Sequence, residues 1–371
     1  MKIIINALSA RLGGGQTYLK NLLAHLPASE SLDILVFAPA SLRLPDDRRI
    51  RRGTTKWPTE NPLLRAVWEK AVLPRIVRKE GAEILFCPGG IVASRVPHGC
   101  KIVTMFRNML PFDKDALSRM PFGLQKVRNI ILKRVMLRSM ASADLTIFIS
   151  DYARSIIENL ITVPRAITIP HGINEAFRTY RKILRRPEWL PAGEYLLYVS
   201  RFDVYKHQME VALAYASLPE NLRARYKLLL VGELDDVLAS GVQKLIQDKQ
   251  LEGQVLVAGP QAYEDLPLAY HFASANLFAS SCENCPNILL EALGAGRPML
   301  SSSIAPMPEF AGDAVEYFSP TDPDSIRKAM ERVLSDEAYQ ERLAAASARR
   351  SEIFSWKSTS QRTWNSVLEL V

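Results

Sequence analysis

Two carboxylates set the first chemical question. They lie eight residues apart in "ENCPNILLEALGAGRPML", which runs from Glu283 to Leu300. The stretch reads as a loop after the apolar strand "ANLFASS", then a helix over residues 288–294 ended by glycine. A helix start leaves backbone N–H groups unpaired, here from about Asn287 to Leu290. An ionised carboxylate only accepts hydrogen bonds, so it suits the vicinal hydroxyls of a sugar. One of Glu283 and Glu291 could hold a hexose and the other a ribose, with the amides on hydroxyls or phosphate. The competing reading is of helix-end charges. Arg201 and Lys206 follow the strand "EYLLYVSR" and suit a diphosphate: Arg offers a planar fork and Lys a mobile point charge. Solvated surface cations are the alternative.

A third feature is "RLGGGQTYLKNLL" after the first strand, with Gly13, Gly14 and Gly15 as a turn and a helix over 16–26. A glycine turn before a helix lets a phosphate or sugar approach backbone N–H groups. A tight βα turn alone would also use glycine. The pattern is not G-x-G-x-x-G, and the second strand ends in "FAPA" without an acidic residue for a ribose, which argues against a nicotinamide site. Asp113-x-Asp115 matches the metal-binding pattern of single-domain transferases but reads as a solvated loop. Cys282-x-x-Cys285 lacks a second Cys or His pair nearby and so reads as neither a zinc nor a redox site.

These residues must be positioned by an α/β fold. Continuous β-rich runs alternate with helical segments, as in parallel sheets buried on both faces. Six runs precede "FRTYRKILRRPEWLPAGE" (177–194) and five follow it. That basic, proline-containing stretch reads as a linker. The expectation is two tandem Rossmann-like, doubly wound domains: 1–180 for the acceptor and 181–355 for the donor. Their ligands would bind at strand carboxyl ends in a cleft between them. A tail over 356–371, with Trp356, Trp364, Val367 and Leu368 on one helical face, would dock on a domain surface.

Bulk composition narrows the partners. The 371 residues carry 47 Lys+Arg against 39 Asp+Glu, a net charge of +8, which favours anionic ligands or surfaces. No nucleic-acid module is recognisable. Four cysteines are too few for a disulfide scaffold. There is no full signal-peptide core and no apolar run of about 18 residues, so a cytoplasmic location is expected. "RRIRRGTTK" is strongly basic. "LQKVRNIILKRVMLRSM" reads as a helix with Leu124, Val127, Ile131 and Val135 on one face and Lys126 and Lys133 opposite. It is either packed on the core with a wet face or a contact with an anionic leaflet.

Together, "ENCPNILLEALGAGRPML", Arg201/Lys206 and the early glycine loop resemble the GT-B glycosyltransferases. The resemblance is greatest to the retaining family 4 (glycosyl transferases group 1). It covers most of the chain, most strongly from Tyr195 to Pro308, with "IPHGI" similar to the family's Asn-Gly-Val turn and the tail similar to its closing helix, which crosses back to the first domain.

The resemblance implies that Glu291 binds the nucleotide ribose, while Glu283 holds the donor sugar with the amides of Cys285, Asn287 and Ile288. Arg201 and Lys206 would neutralise the diphosphate, with Gly14 and Gly15 near it. It also implies transfer with retention, no cofactor and no essential metal. "MFRNMLPF" departs from the family, which often has a histidine after the fourth strand of the first domain. Arg107 and Asn108 stand there instead. Arg107 cannot be a base at neutral pH, so it would bind phosphate or, with Asn108 and Gly13, the acceptor. "RNMLPF" is similar to transferases that build bacterial O-antigen and related surface polysaccharides. The implied reaction moves a hexose, with GDP-mannose favoured, to a lipid-linked glycan at the inner face of the membrane. The rivals are a nucleotide-sugar epimerase of the same fold and a catalytically silent subunit of a polysaccharide assembly complex.

Overall fold

Strands buried on both faces need apolar side chains at every position, and this chain supplies them: Ile3, Ile4 and Ile5 are all at most 1% exposed. The computed structural model describes residues 1–371 other than Leu12, Glu30, Pro121, Phe122 and 180–184. The first sheet comprises β1 (Lys2–Asn6), β2 (Asp33–Phe37), β3 (Ile50–Arg52), β4 (Ile84–Cys87), β5 (Lys101–Phe106), β6 (Leu145–Phe148) and β7 (Ala166–Thr168). Its order is β3-β2-β1-β4-β5-β6-β7, and every pairing is parallel. The second comprises β8 (Glu194–Val199), β9 (Tyr226–Val231), β10 (Val255–Ala258), β11 (Ala275–Phe278), β12 (Met299–Ser302) and β13 (Glu316–Phe318). Its order is β10-β9-β8-β11-β12-β13, again all parallel. Each sheet reverses its order once, between β1 and β4 and between β8 and β11. Ligand crevices of doubly wound sheets open at such points.

Two strands escaped the sequence reading, and both are three-residue edges. β3 reads Ile-Arg-Arg inside the basic stretch, with both arginines exposed. An edge strand pairs on one side only and needs no continuous apolar run. Arg51 there donates to Asp33 at 2.8 Å and to Glu80 at 3.0 Å. Because β3 is present, Arg107 and Asn108 follow the fifth strand in chain order, not the fourth.

The chain forms two compact units: Met1–Phe112, Phe122–Gly172 and Trp356–Val371 in one, Asp113–Pro121 and Ile173–Ser355 in the other. Part of the stretch expected as a linker, 180–184, lies outside the described residues. Its start does not behave as a linker. Phe177 is fully buried against the rings of Tyr263 and Tyr270, and Arg178 donates to Ser351 O and Phe354 O; just before the stretch, Ile173 N–H donates to Phe354 O. The division therefore falls between residues 172 and 173.

Helix Trp356–Leu368 packs within the first unit against helix Gly14–Ala24. Trp364 Nε1 donates to Leu22 O at 3.0 Å, and Ser360 Oγ donates to Asn21 O at 3.1 Å. Helix Leu124–Ser142 corrects the core-packed alternative. Leu124 is 91% exposed, and Val127, Ile130 and Ile131 are exposed as well, while Asn129, Met136, Ser139 and Met140 are buried. Lys133 turns inward, its Nζ 5.4 Å from the centre of the Phe112 ring. No helix among the described residues is long and apolar enough to cross a membrane.

Candidate active site

The β8/β11 crevice gathers residues far apart in sequence. The loop after β8 carries Arg201 and Lys206, and the loop after β11 carries Glu283. Backbone bonds stitch the two loops together: Ser281 N–H donates to Tyr205 O at 2.9 Å. His207 adopts the left-handed conformation (φ 53°) at the start of helix Gln208–Ala216 and is buried. Its Nε2 lies 2.8 Å from Ser281 Oγ and its Nδ1 3.2 Å from Glu210 Oε1. Tyr198 OH donates to Lys206 O at 2.6 Å.

Held this way, Lys206 has a buried side chain, and its ammonium forms an ion pair with Glu283. Its Nζ also lies 5.1 Å from the centre of the Phe278 ring and 5.4 Å from that of Tyr205, a cation–π setting. The expected diphosphate ligand and the expected sugar ligand thus contact each other directly. Arg201 is paired with Asp203 but is the more accessible cation, its side chain 56% exposed.

Helix Asn287–Gly294 begins one residue earlier than expected. Of the four amides anticipated as unpaired, two are engaged: Asn287 N–H donates to Cys285 O and Leu290 N–H to Pro286 O, each at 3.0 Å. Pro286, as the residue preceding the helix, supplies the acceptor for the first full turn. Among the described residues, Ile288 and Leu289 keep the unpaired donors of that turn. An Asn287 amide on the donor would therefore first have to leave Cys285 O.

Glu291 lies one turn in and meets a residue that sequence reading missed. Tyr263 OH donates to Glu291 Oε1 at 2.9 Å. Burial pushes the Glu291 carboxyl up to about 7, and the Tyr263 hydrogen bond works against that rise. The raised value means that burial disfavours the charged form of the carboxyl. Tyr263 follows the end of β10, so the rule that ligands gather at strand carboxyl ends could have flagged it. His207 and Glu210, which brace the two loops, were missed too. The direct adjacency of His207 to Lys206 was the available signal.

The β1/β4 switch point of the first unit forms a separate cavity of about 280 Å³. Ala7, Ser9 and Ala10 after β1, Gly15, Pro88 and Gly89 after β4, and Arg107 and Asn108 after β5 line it. Gly89 allows a close approach: a Cβ there would come within 2.2 Å of Ser9 Oγ, and the Ser9 hydroxyl would have to turn away. The Arg107 guanidinium packs over the Tyr18 ring at 5.7 Å. A Cβ on Gly15 would come within 3.3 Å of Arg107 Nη1, so the glycine loop and Arg107 share one wall. The glycine turn differs from expectation in one respect. Gly13 alone precedes helix Gly14–Ala24, and Gly14 and Gly15 form its first turn.

Other candidates take structural places. Asp113 is not a solvated loop residue but a helix cap, accepting from Ala116 N–H at 2.8 Å. Cys282 and Cys285 are buried and not joined in a disulfide, and burial pushes the Cys282 thiol far up from the usual thiol range. The histidine of "IPHGI", His171, is not one of those candidates; it is buried against Trp356 and Tyr18, with ring centres 5.2 and 5.6 Å away.

Two Rossmann-like parallel sheets, each with polar residues gathered at its switch point, define the GT-B class of glycosyltransferase fold. A solved sucrose-phosphate synthase from Thermosynechococcus elongatus superposes with a TM-score of 0.78, covering 100% of this chain and 99% of that one at 18% identity. Residues 12–177 match the profile of "Glycosyltransferase Family 4" and residues 181–350 that of "Glycosyl transferases group 1". The chain belongs to this glycosyltransferase family. Among relatives, it is 30% identical over 254 residues to an O-antigen chain mannosyltransferase B of Escherichia coli, covering 65% of this chain. It is 28% identical over 205 residues, 54% of this chain, to a serotype-specific mannosyltransferase WbdA of Escherichia coli. The aligned segments span 64% and 25% of the lengths of these two relatives.

The Glu291 environment predicts a pH signature. A carboxyl raised from 4.5 to about 7 keeps its proton in the folded state where the unfolded chain has lost it. Its contribution is full below about pH 4.5 and is lost as pH rises towards 7. The melting temperature of the wild type relative to Glu291→Gln should fall between those values and level off above. Parallel curves for the two proteins would show that Glu291 titrates normally.

Proposed function

We propose that the chain is a retaining hexosyltransferase that moves mannose from GDP-mannose to a growing, lipid-linked surface glycan of the O-antigen kind. One observation carries the donor side: the meeting of Lys206 and Glu283 at the β8/β11 switch point, with Arg201 exposed beside them. The choice of mannose rests on the names of the two relatives, both mannosyltransferases.

In this reading the diphosphate lies on Arg201 and Lys206, drawing Lys206 from Glu283. The freed Glu283 carboxylate and the amide of Ile288 then take the hexose hydroxyls. The amides of Cys285 and Asn287 join them as the loop adjusts. Glu291, released from Tyr263, accepts from the ribose hydroxyls. Arg107, Asn108 and Gly13 hold the acceptor on the first unit, where Gly14 and Gly15 add the amides of a helix start. The acceptor oxygen bonds to the anomeric carbon as the bond from that carbon to the diphosphate breaks. The acceptor proton passes to the departing diphosphate. The protein's work is positioning and stabilisation of charge on the leaving group, with no resident cofactor and no essential metal.

The same reading places the enzyme at the inner face of the cytoplasmic membrane. Leu124, Val127, Ile130 and Ile131 are exposed on helix Leu124–Ser142, and Leu63, Leu64 and Val67 are exposed on helix Pro62–Ala71. Arg65 and Arg128, one from each helix, are close enough to influence each other. Apolar side chains among such cations suit an anionic lipid surface.

Two outcomes are expected. Incubation with GDP-mannose and an α-mannoside acceptor should yield an α-linked product by NMR, unaffected by EDTA. Arg201→Ala and Lys206→Ala should each lower turnover on the order of 10²-fold. An inverted linkage, or near-normal rates in both variants, would reject the mechanism. For the membrane, Leu124→Asp with Ile131→Asp should abolish cosedimentation with phosphatidylglycerol-rich vesicles without changing turnover on a soluble acceptor. Unaltered cosedimentation would remove this surface from the account.

A further inference from the structure

A second, larger cavity opens on the first unit, at the carboxyl ends of β1, β2 and β3. Its volume is about 660 Å³, well inside the range of about 300–1,000 Å³ usual for ligand sites. It lies beside the acceptor cavity along one sheet edge. The loop after β1 lines both, with Ala7, Ser9 and Ala10 on one and Leu8 and Arg11 on the other. The two cavities are therefore successive stations on a single edge.

The larger cavity is built rather than incidental. Trp57, 42% exposed, is one of the residues that line it. Thr55 Oγ1 accepts from Trp57 N–H at 3.1 Å, and Trp57 O accepts from Thr59 N–H at 2.8 Å, fixing the residue from both sides. The Arg11 guanidinium donates to Glu60 O and ties this segment to the loop after β1. Arg52, another lining residue, donates to Leu42 O. The floor depends on Gly53, where a Cβ would come within 2.5 Å of the Phe37 ring. An exposed indole ring beside threonine hydroxyls and arginine N–H groups offers a flat apolar face with a polar surround. That chemistry suits a pyranose, whose C–H face is apolar and whose rim is hydroxylated.

We propose that this cavity is a second acceptor subsite, which holds a non-reacting sugar of an oligosaccharide whose terminal residue occupies the Arg107–Asn108 cavity. The inference rests on the transferase reading above. The ligand is a neutral oligosaccharide, and Trp57 is its stacking platform. A transferase acting on a lone sugar would have no use for the second station. One acting on a growing chain gains affinity and selects acceptors long enough to span both.

The test measures binding, by NMR titration, of an α-linked mannose disaccharide and pentasaccharide to the full chain, with GDP titrated separately. The wild type should bind the pentasaccharide at least about tenfold more tightly than the disaccharide. Trp57→Ala should bind both alike, Trp57→Tyr should keep the preference, and GDP binding should be the same in all three. Persistence of the preference in Trp57→Ala, or its absence from the wild type, would overturn the proposal. Failure of the wild type to bind GDP would count against the transferase reading instead. The length preference is read without GDP and stands or falls separately.

Discussion

The ion pair between Lys206 and Glu283 is the constraint around which the second unit's site is arranged. An ammonium with a buried side chain needs a partner, since removing one member of such a pair leaves an uncompensated charge that costs about 3–5 kcal/mol. The two residues lie 77 positions apart and approach only because β8 and β11 are neighbours at the point where the sheet order reverses. The bond between Ser281 and Tyr205, the left-handed His207 and its contact with Ser281 all hold the two loops at that spacing. In the proposed reading, a diphosphate entering the crevice would compete with Glu283 for Lys206. Donor binding and release of the carboxylate for the sugar would then be a single event.

The same economy recurs at Glu291. Tyr263 occupies the carboxylate that the ribose would use, and burial leaves that carboxylate reluctant to ionise. Both acidic residues of the site are thus partnered by protein groups whose place a substrate would take. The first unit uses close approach instead of charge pairing. Gly89 against Ser9 and Gly15 against Arg107 bring backbone to the cavity wall, where amides and a guanidinium can meet hydroxyls.

Much of this was legible in the sequence. Parallel strands buried on both faces show themselves as unbroken apolar runs, so the class and eleven of the strands could be read directly. β3 and β13 could not, because a three-residue edge needs little apolar surface and Ile50–Arg52 carries two arginines. The residues at strand ends could be named, but not their pairing, because the Lys206–Glu283 contact depends on strand order. Helical periodicity grouped Leu124, Val127 and Ile131 on one face yet could not say which way it points. The packing of Asn129 and Met136 inward turned it out. Burial of Phe177 likewise overrode a basic, proline-containing composition that reads as a linker.

The most direct test of the central claim is a thermal-shift panel of GDP, UDP, dTDP and ADP, without and with EDTA, on the wild type and Glu291→Ala. A nucleotide at one hundred times its Kd stabilises a protein by about 2.7 kcal/mol. The account predicts one clear winner in the wild type, GDP, insensitive to EDTA and much weakened in Glu291→Ala. No shift with any nucleotide, or an equal shift in the variant, would contradict it and return the two glutamates to the role of helix-end charges.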